Sequence, residues 1–369
     1  MVGFVLALAG CGGNVAPSDP GGGGPPGIPP TLGWDRIPNT KLASVCPPDT
    51  ADYAFSRFCE NVIAAWSGAI ADKAGNRMII WGGGHDNYYG NEVYALNLNT
   101  LKLERLNSPS PINPDRAQCI TTLADGKPNS RETYNGLAYI APVDRMFAFG
   151  GSLACSAGHY GNDTWTLNLQ TLQWESEDPH SGGTPNNDPG IVADYDPATS
   201  AVYLHDLSNF WKYEYRPLNR YTRLNAADQL IDYRMTPVID TRRGLFFMMG
   251  CKGCGDVAGV KVISIAPGSA YAMEDWTSQV VGCDGLITQA YPGLAYDPVQ
   301  DRIVGWAGDG TVYLFNPDMK SCTTVTYPVD LGAQQPNGTH GRWRYFPGLK
   351  LFAIVNDWQQ DAHTLRLTP

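Results

Sequence analysis

The sequence has little with which to hold a nucleic acid. It carries 26 lysines and arginines against 36 acids, a net charge of −10, and no run of bases. Binding such a polyanion requires many phosphates to be neutralised together, so we expect no nucleic-acid partner. Also missing is any long stretch with apolar residues at i, i+3 and i+4, which argues against a helical fold. There is no G-x-S-x-G turn for a nucleophilic hydrolase. Cys251-Lys-Gly-Cys254 has no second CxxC or nearby histidine to complete a zinc site. Histidine is scarce, at six residues. Glycine (41), proline (28) and aromatic side chains (11%) are plentiful, which is the balance of a turn-rich β protein with a well-filled core.

Residues 1–10 are apolar and end Leu8-Ala9-Gly10 ahead of Cys11. A segment this short cannot cross a bilayer as a mature helix and has the pattern of a signal peptide. The Leu-Ala-Gly-Cys order resembles the bacterial lipoprotein box, which implies lipidation at Cys11. No lysine or arginine precedes Cys11, so a start further upstream is expected. Residues 13–30 are rich in Gly and Pro and read as a tether. The expected division is a signal segment (1–11), a tether (12–33) and one folded domain (34–369). The other eight cysteines form an even set, which in an oxidising compartment reads as up to four disulfides. Proximity in loops suggests Cys46–Cys59, Cys119–Cys155, Cys251–Cys254 and Cys283–Cys322, although eight cysteines permit 105 pairings. The expected location is the bacterial cell envelope, on a lipid anchor in the outer membrane, periplasmic or surface-exposed, as a monomer.

Within 34–369 one unit returns at intervals of roughly 35–60 residues, the range of propeller blades. It begins with a small-residue strand, passes an aspartate turn and enters an apolar strand ending in glycines. A variable loop, an alternating strand and a last aromatic-bearing strand follow. The first copy reads AAWSGAIADKAGN/RMIIWGGG/NEVYALNLNT/LKLERL and the second TYNGLAYIAPVD/RMFAFGG/NDTWTLNLQT/LQWESE. Four further copies are more degenerate, and the sixth stops after its third strand. Residues 33–42 look like the missing strand, closing the last blade from the other end of the chain. The second strand's glycines (Gly82-Gly83, Gly150-Gly151) and the N-(D/E)-(V/T)-(W/Y)-x-L third strand resemble the kelch repeat, as in the central domain of galactose oxidase. The expected fold is therefore all-β: a six-bladed kelch-type β-propeller with four-stranded blades. A seventh blade would need a hidden copy within 107–133.

Propellers gather their long loops on one face, around the channel mouth. His85, His159, His180, His205 and His340 are expected there. Arg131, Tyr134, Tyr233, Arg234 and Arg342 stand just before or at innermost strands and should point at the same mouth. Histidine and arginine around one opening of an acidic protein suit an anionic ligand, and an acidic polysaccharide is the expected partner. One reading is a polysaccharide lyase acting by β-elimination at a uronate, with His159, His180, Tyr134 and Arg234 catalytic. His85, Arg131, His340, Arg342, Tyr160 and Trp358 would then bind substrate. Elimination needs cations to stabilise the enolate-like intermediate and a base near neutrality. The alternatives are a non-catalytic glycan- or protein-binding module and a sugar isomerase or mutarotase. No cofactor is expected. Oxygen ligands around Asp86 offer a weak calcium site whose spacing matches no established loop.

Overall fold

Two-residue periodicity lays out the core. In the strand Leu245–Gly250, Phe246 and Met248 turn to one side while Phe247 and Met249 turn to the other, and all four are fully buried. A sheet buried on both faces must be sandwiched, and here its neighbours are other sheets. The computed structural model describes residues 27–179, 183–225 and 227–368. Cys11, most of the tether and His180 lie outside those residues. The described chain forms six four-stranded antiparallel sheets, plus a two-stranded pair of Arg131–Glu132 with Ser152–Leu153.

Five sheets are consecutive in sequence. Their innermost strands are Gly68–Asp72, Leu137–Ile140, Val192–Asp196, Thr236–Asp240 and Gly293–Asp297 for blades 1 to 5. Blade 6 runs outward from Trp343–Phe346 through Leu351–Ile354 and His363–Arg366 to Gly33–Arg36. The six-bladed all-β architecture and the closing strand are thus as the repeat implied. That strand is shorter than expected, because the chain leaves it after Arg36 and runs through a 3-10 turn at Leu42–Val45. Helix is confined to single turns such as Phe55–Phe58, Asn61–Ala64 and Asp284–Ile287.

Between each pair of adjacent blades lies one apolar wedge. Trp81 of blade 1 and Trp165 of blade 2 share the first, and Trp306 of blade 5 and Trp343 of blade 6 share another. The wedge between blades 6 and 1 also takes in Ile37, Leu42 and Phe55 from the N-terminal segment. The aspartate turns have a direct physical role. Asp72, Asp196, Asp240 and Asp297 end innermost strands and are buried. Their carboxylates accept backbone N–H groups of the turn, from Gly75 (2.8 Å), Thr199 (3.0 Å), Arg242 (3.0 Å) and Val299 (2.8 Å).

All four expected disulfides form: Cys46–Cys59, Cys119–Cys155, Cys251–Cys254 and Cys283–Cys322. Cys322 sits on the outermost strand of blade 5, Ser321–Thr326, and not in a loop.

Candidate functional site at the channel mouth

Two or three residues ahead of each innermost strand, the chain makes a sharp turn into the ring. Trp66, Tyr134, Gly190, Arg234, Tyr291 and His340 occupy this position in blades 1 to 6. Five of the six have positive φ: 46° at Trp66, 47° at Tyr134, 75° at Gly190, 50° at Tyr291 and 44° at His340. For bulky side chains this left-handed geometry is costly and persists only where the surroundings impose it. Backbone ties to the adjacent blade do so here. The Tyr134 N–H donates to the Trp66 carbonyl (2.7 Å), Tyr291 to Arg234 (2.8 Å) and Ala69 to His340 (3.0 Å). At Gly190 an added Cβ would collide with Tyr233, so the missing side chain is what seats that tyrosine.

The result is an aromatic arc around the mouth. Trp66 lies 6.3 Å from Tyr134, which meets the His340 ring edge-on at 5.8 Å. His340 lies 4.3 Å from Tyr291, which in turn faces Tyr233 at 6.1 Å. The Arg234 guanidinium sits 5.0 Å over the Tyr233 ring. Tyr233 and Tyr160 are exposed. Tyr160 lies within electrostatic reach of Glu132, Asp188 and Tyr233.

Glu132 is the titratable group the sequence reading missed. It ends the short strand Arg131–Glu132, two residues before the turn at Tyr134. Its carboxylate accepts hydrogen bonds from the Tyr134 hydroxyl and from Asn87 Nδ2, each 3.2 Å. Burial raises its pKa to about 7, against the opposing pull of those two bonds. Tyr134 itself stays a phenol, its pKa raised by burial and by Glu132. A carboxyl that exchanges its proton near neutrality beside a phenol donor is suited to proton transfer.

The raised pKa has a stability consequence. Relative to an ordinary value of 4.5, the folded state holds the Glu132 proton more tightly than the unfolded chain. Stability from this group is therefore full below pH 4.5 and declines as pH rises to about 7. The loss is at most about 3–4 kcal/mol, taking roughly 1.4 kcal/mol per pKa unit. Glu132→Gln should thus gain on the wild type between pH 4.5 and 7.5 in parallel urea titrations. A constant difference across that range would show that Glu132 titrates normally.

Other expected site residues are placed differently. Arg131 is buried and donates to both Asp163 oxygens (2.8 and 3.0 Å) and to the carbonyls of Asn129 and Gly150. Arg342 is fully buried and donates to the carbonyls of Val355, Ser67 and Gly338. Both hold the framework and offer a ligand nothing. His340 is buried with Nε2 against the Asn337 carbonyl, and burial, reinforced by Arg342, lowers its pKa to about 3. It is a neutral part of the arc and not a cation. His205 ends the strand Ala201–His205 and is fully buried, so it is not a mouth loop residue. Trp358 packs on the wedge between blades 6 and 1.

His85 and His159 are exposed, with His85 against Gly158 and His159 lining an open groove with Tyr160 and Asn187. Arg234 does stand at the mouth, in a bidentate pair with Asp232 at 2.8 Å. The calcium ligands do not converge. Asp86 accepts from Tyr89, Glu92 accepts from Tyr88 and Tyr94, and no group of three acidic, histidine or cysteine side chains fit for a metal occurs among the described residues.

Comparison with known proteins places only the architecture. No protein-family model matches the chain, and no curated protein matches it. A solved structure, a structural genomics protein of unknown function from Bacteroides thetaiotaomicron VPI-5482, is similar over 91% of this chain and 76% of its own. Its TM-score is 0.53 at 14% identity. The likeness is one of fold.

Proposed function

We propose that this kelch-like propeller binds a saccharide at the channel mouth, with Glu132 as the group that exchanges protons with the ligand. The observation that carries this reading is the arc of Trp66, Tyr134, Tyr291 and Tyr233, in which exposed Tyr233 and half-buried Trp66 present ring surface and the buried Tyr134 and Tyr291 back them. Sugar rings offer apolar faces to such surfaces and hydroxyls to the polar groups at their edge. Of the arginines first assigned to an anionic ligand, Arg131 and Arg342 are buried and Arg234 is half-buried, its charge shared with Asp232. A uronate-containing chain therefore remains the ligand to test first, although recognition rests on the rings more than on charge.

A second reading, β-elimination at a uronate, is favoured by the Glu132–Tyr134 pair. Glu132 would take the C5 proton, and Arg234 would offset the developing charge on the carboxylate. The C4–O4 bond would break as C4=C5 forms, with the Tyr134 phenol giving its proton to the departing O4. Four disulfides, with the Leu-Ala-Gly-Cys order, support export to an oxidising compartment and anchoring through Cys11.

The test is retention on a panel of immobilised neutral and acidic glycans, with absorbance of unsaturated uronate followed in parallel on wild type and Tyr233→Ala. Retention of at least one glycan is expected, weakened about tenfold (~1.4 kcal/mol) by Tyr233→Ala, an exposed residue whose loss leaves the wedges intact. Absorbance that appears with wild type and vanishes in Glu132→Gln would select elimination. No retained glycan, or retention indifferent to Tyr233→Ala, would remove the mouth from consideration.

A further inference from the structure

At the end of the channel opposite the mouth, the innermost strands of all six blades surround a cavity of about 290 Å³. Tyr139, Tyr195, Tyr296 and Tyr345 are among the lining residues, one from each of four blades. Three charged side chains line it: Lys73 from blade 1, Asp194 from blade 3 and Arg344 from blade 6. The carboxylate is already satisfied. One Asp194 oxygen accepts the Tyr195 N–H and the other the Ile239 N–H, both at 2.9 Å.

The cations are not. Arg344 directs Nε and one terminal nitrogen to the Ala69 carbonyl, at 3.2 and 2.9 Å, and its second terminal nitrogen has no hydrogen-bond partner among the described residues. Lys73 is reached by water and makes no hydrogen bond or ion pair among the described residues. Protein nonetheless walls it closely enough that burial lowers its pKa, with Asp194 opposing and Arg344 adding to the effect. The buried aspartates of the nearby turns do not line the cavity and are bound to their own turn N–H groups.

We propose that this end of the channel is an anion-binding site for a small carboxylate on a compact ring-like body. Within the lining two cations face one carboxylate, in a protein of net charge −10, and of the turn aspartates outside it Asp72 and Asp240 are paired with Arg77 and Arg243. Low-dielectric walls focus that field along the cavity axis. The volume lies at the small end of ligand pockets, and a lining of tyrosines, prolines and aliphatic residues suits a compact apolar body. Lys73 supplies a rotatable point charge and Arg344 a fixed donor, which together can hold both carboxylate oxygens. The site is separate from the mouth by the length of an innermost strand, roughly 13–16 Å at about 3.3 Å per residue.

Benzoate and benzyl alcohol make a matched pair of probes, sharing the ring and differing in the charge. In calorimetry on the full chain, benzoate should bind at least tenfold more tightly than benzyl alcohol. Lys73→Met should weaken benzoate at least tenfold, Lys73→Arg should restore most of the loss, and Tyr233→Ala at the mouth should leave it unchanged. Lys73 is an exposed turn residue that makes no hydrogen bond or ion pair among the described residues, so these variants should fold as the wild type does. Absence of benzoate binding, equal binding of the alcohol, or indifference to Lys73→Met would each overturn the proposal, whatever is found at the mouth.

Discussion

Removing residues 33–42 should open the ring and leave a protein that no longer unfolds cooperatively. The strand Gly33–Arg36 pairs along its whole length with His363–Arg366. Trp34 reaches across to blade 5 through Nε1 to the Gly310 carbonyl (3.3 Å) and lies 5.6 Å from Trp343. Ile37 and Leu42 are buried in the wedge between blades 6 and 1, and Thr40 accepts the Ala362 N–H at 2.8 Å. At about 1.5–3 kcal/mol for each buried apolar side chain, the deletion removes roughly 5 kcal/mol before the bared sheet edge is counted. A domain's whole stability is about 5–15 kcal/mol. Deleting residues 12–26 instead touches none of the described contacts. Urea titrations of both truncations should show a collapsed or lost transition in the first and an unchanged midpoint in the second. Coincident midpoints would mean that the ring is held closed by something other than this strand.

The second large effect is expected from Arg131→Met. Arg131 is 1% exposed, binds Asp163 through two hydrogen bonds and lies 5.8 Å over the Trp81 ring at the seam of blades 1 and 2. Methionine fills much of the volume but strands the Asp163 carboxylate and bares several carbonyls. Breaking one partner of a buried pair costs about 3–5 kcal/mol, mostly because the remaining charge is left without compensation. Asp163→Asn in the same background should recover part of the loss, since it removes that charge. A well-folded Arg131→Met protein with impaired glycan retention would return Arg131 to the ligand site.

Arg131 also shows where local sequence stops being informative. Blade number and turn aspartates were legible because each depends on residues close together in one repeat, and the closing strand because the sixth repeat lacks a last strand that residues 33–42 could supply. Their order in the chain is their order in space. The four disulfides followed from the same proximity. Whether Arg131, Arg342 or His340 faces water is settled by the adjacent blade, and nothing in their own repeat distinguishes them from Arg234. Scarcity of histidine drew attention to the wrong groups, because two of the six are buried as neutral rings, His205 and His340. Glu132 passed unnoticed as one acid among 36. Its spacing from Tyr134 was the available signal. The cavity at the far end of the channel had no local signal at all, since Lys73, Asp194 and Arg344 come from three separate blades.

The six turns at the mouth have one further consequence. Hydrogen bonds between main chains tie five of the six to a neighbouring blade, so at the two with half-buried side chains, Trp66 and Arg234, the side chain is an attachment to a scaffold set elsewhere. Those two act as exchangeable fittings around a fixed rim, whereas Tyr134, Tyr291 and His340 are buried in it. A library randomised at Trp66 and Arg234 could rewrite what the opening prefers without loosening the blades. Gly190 is the exception, because its empty place is already occupied by Tyr233 and any side chain there would push that ring out of the arc.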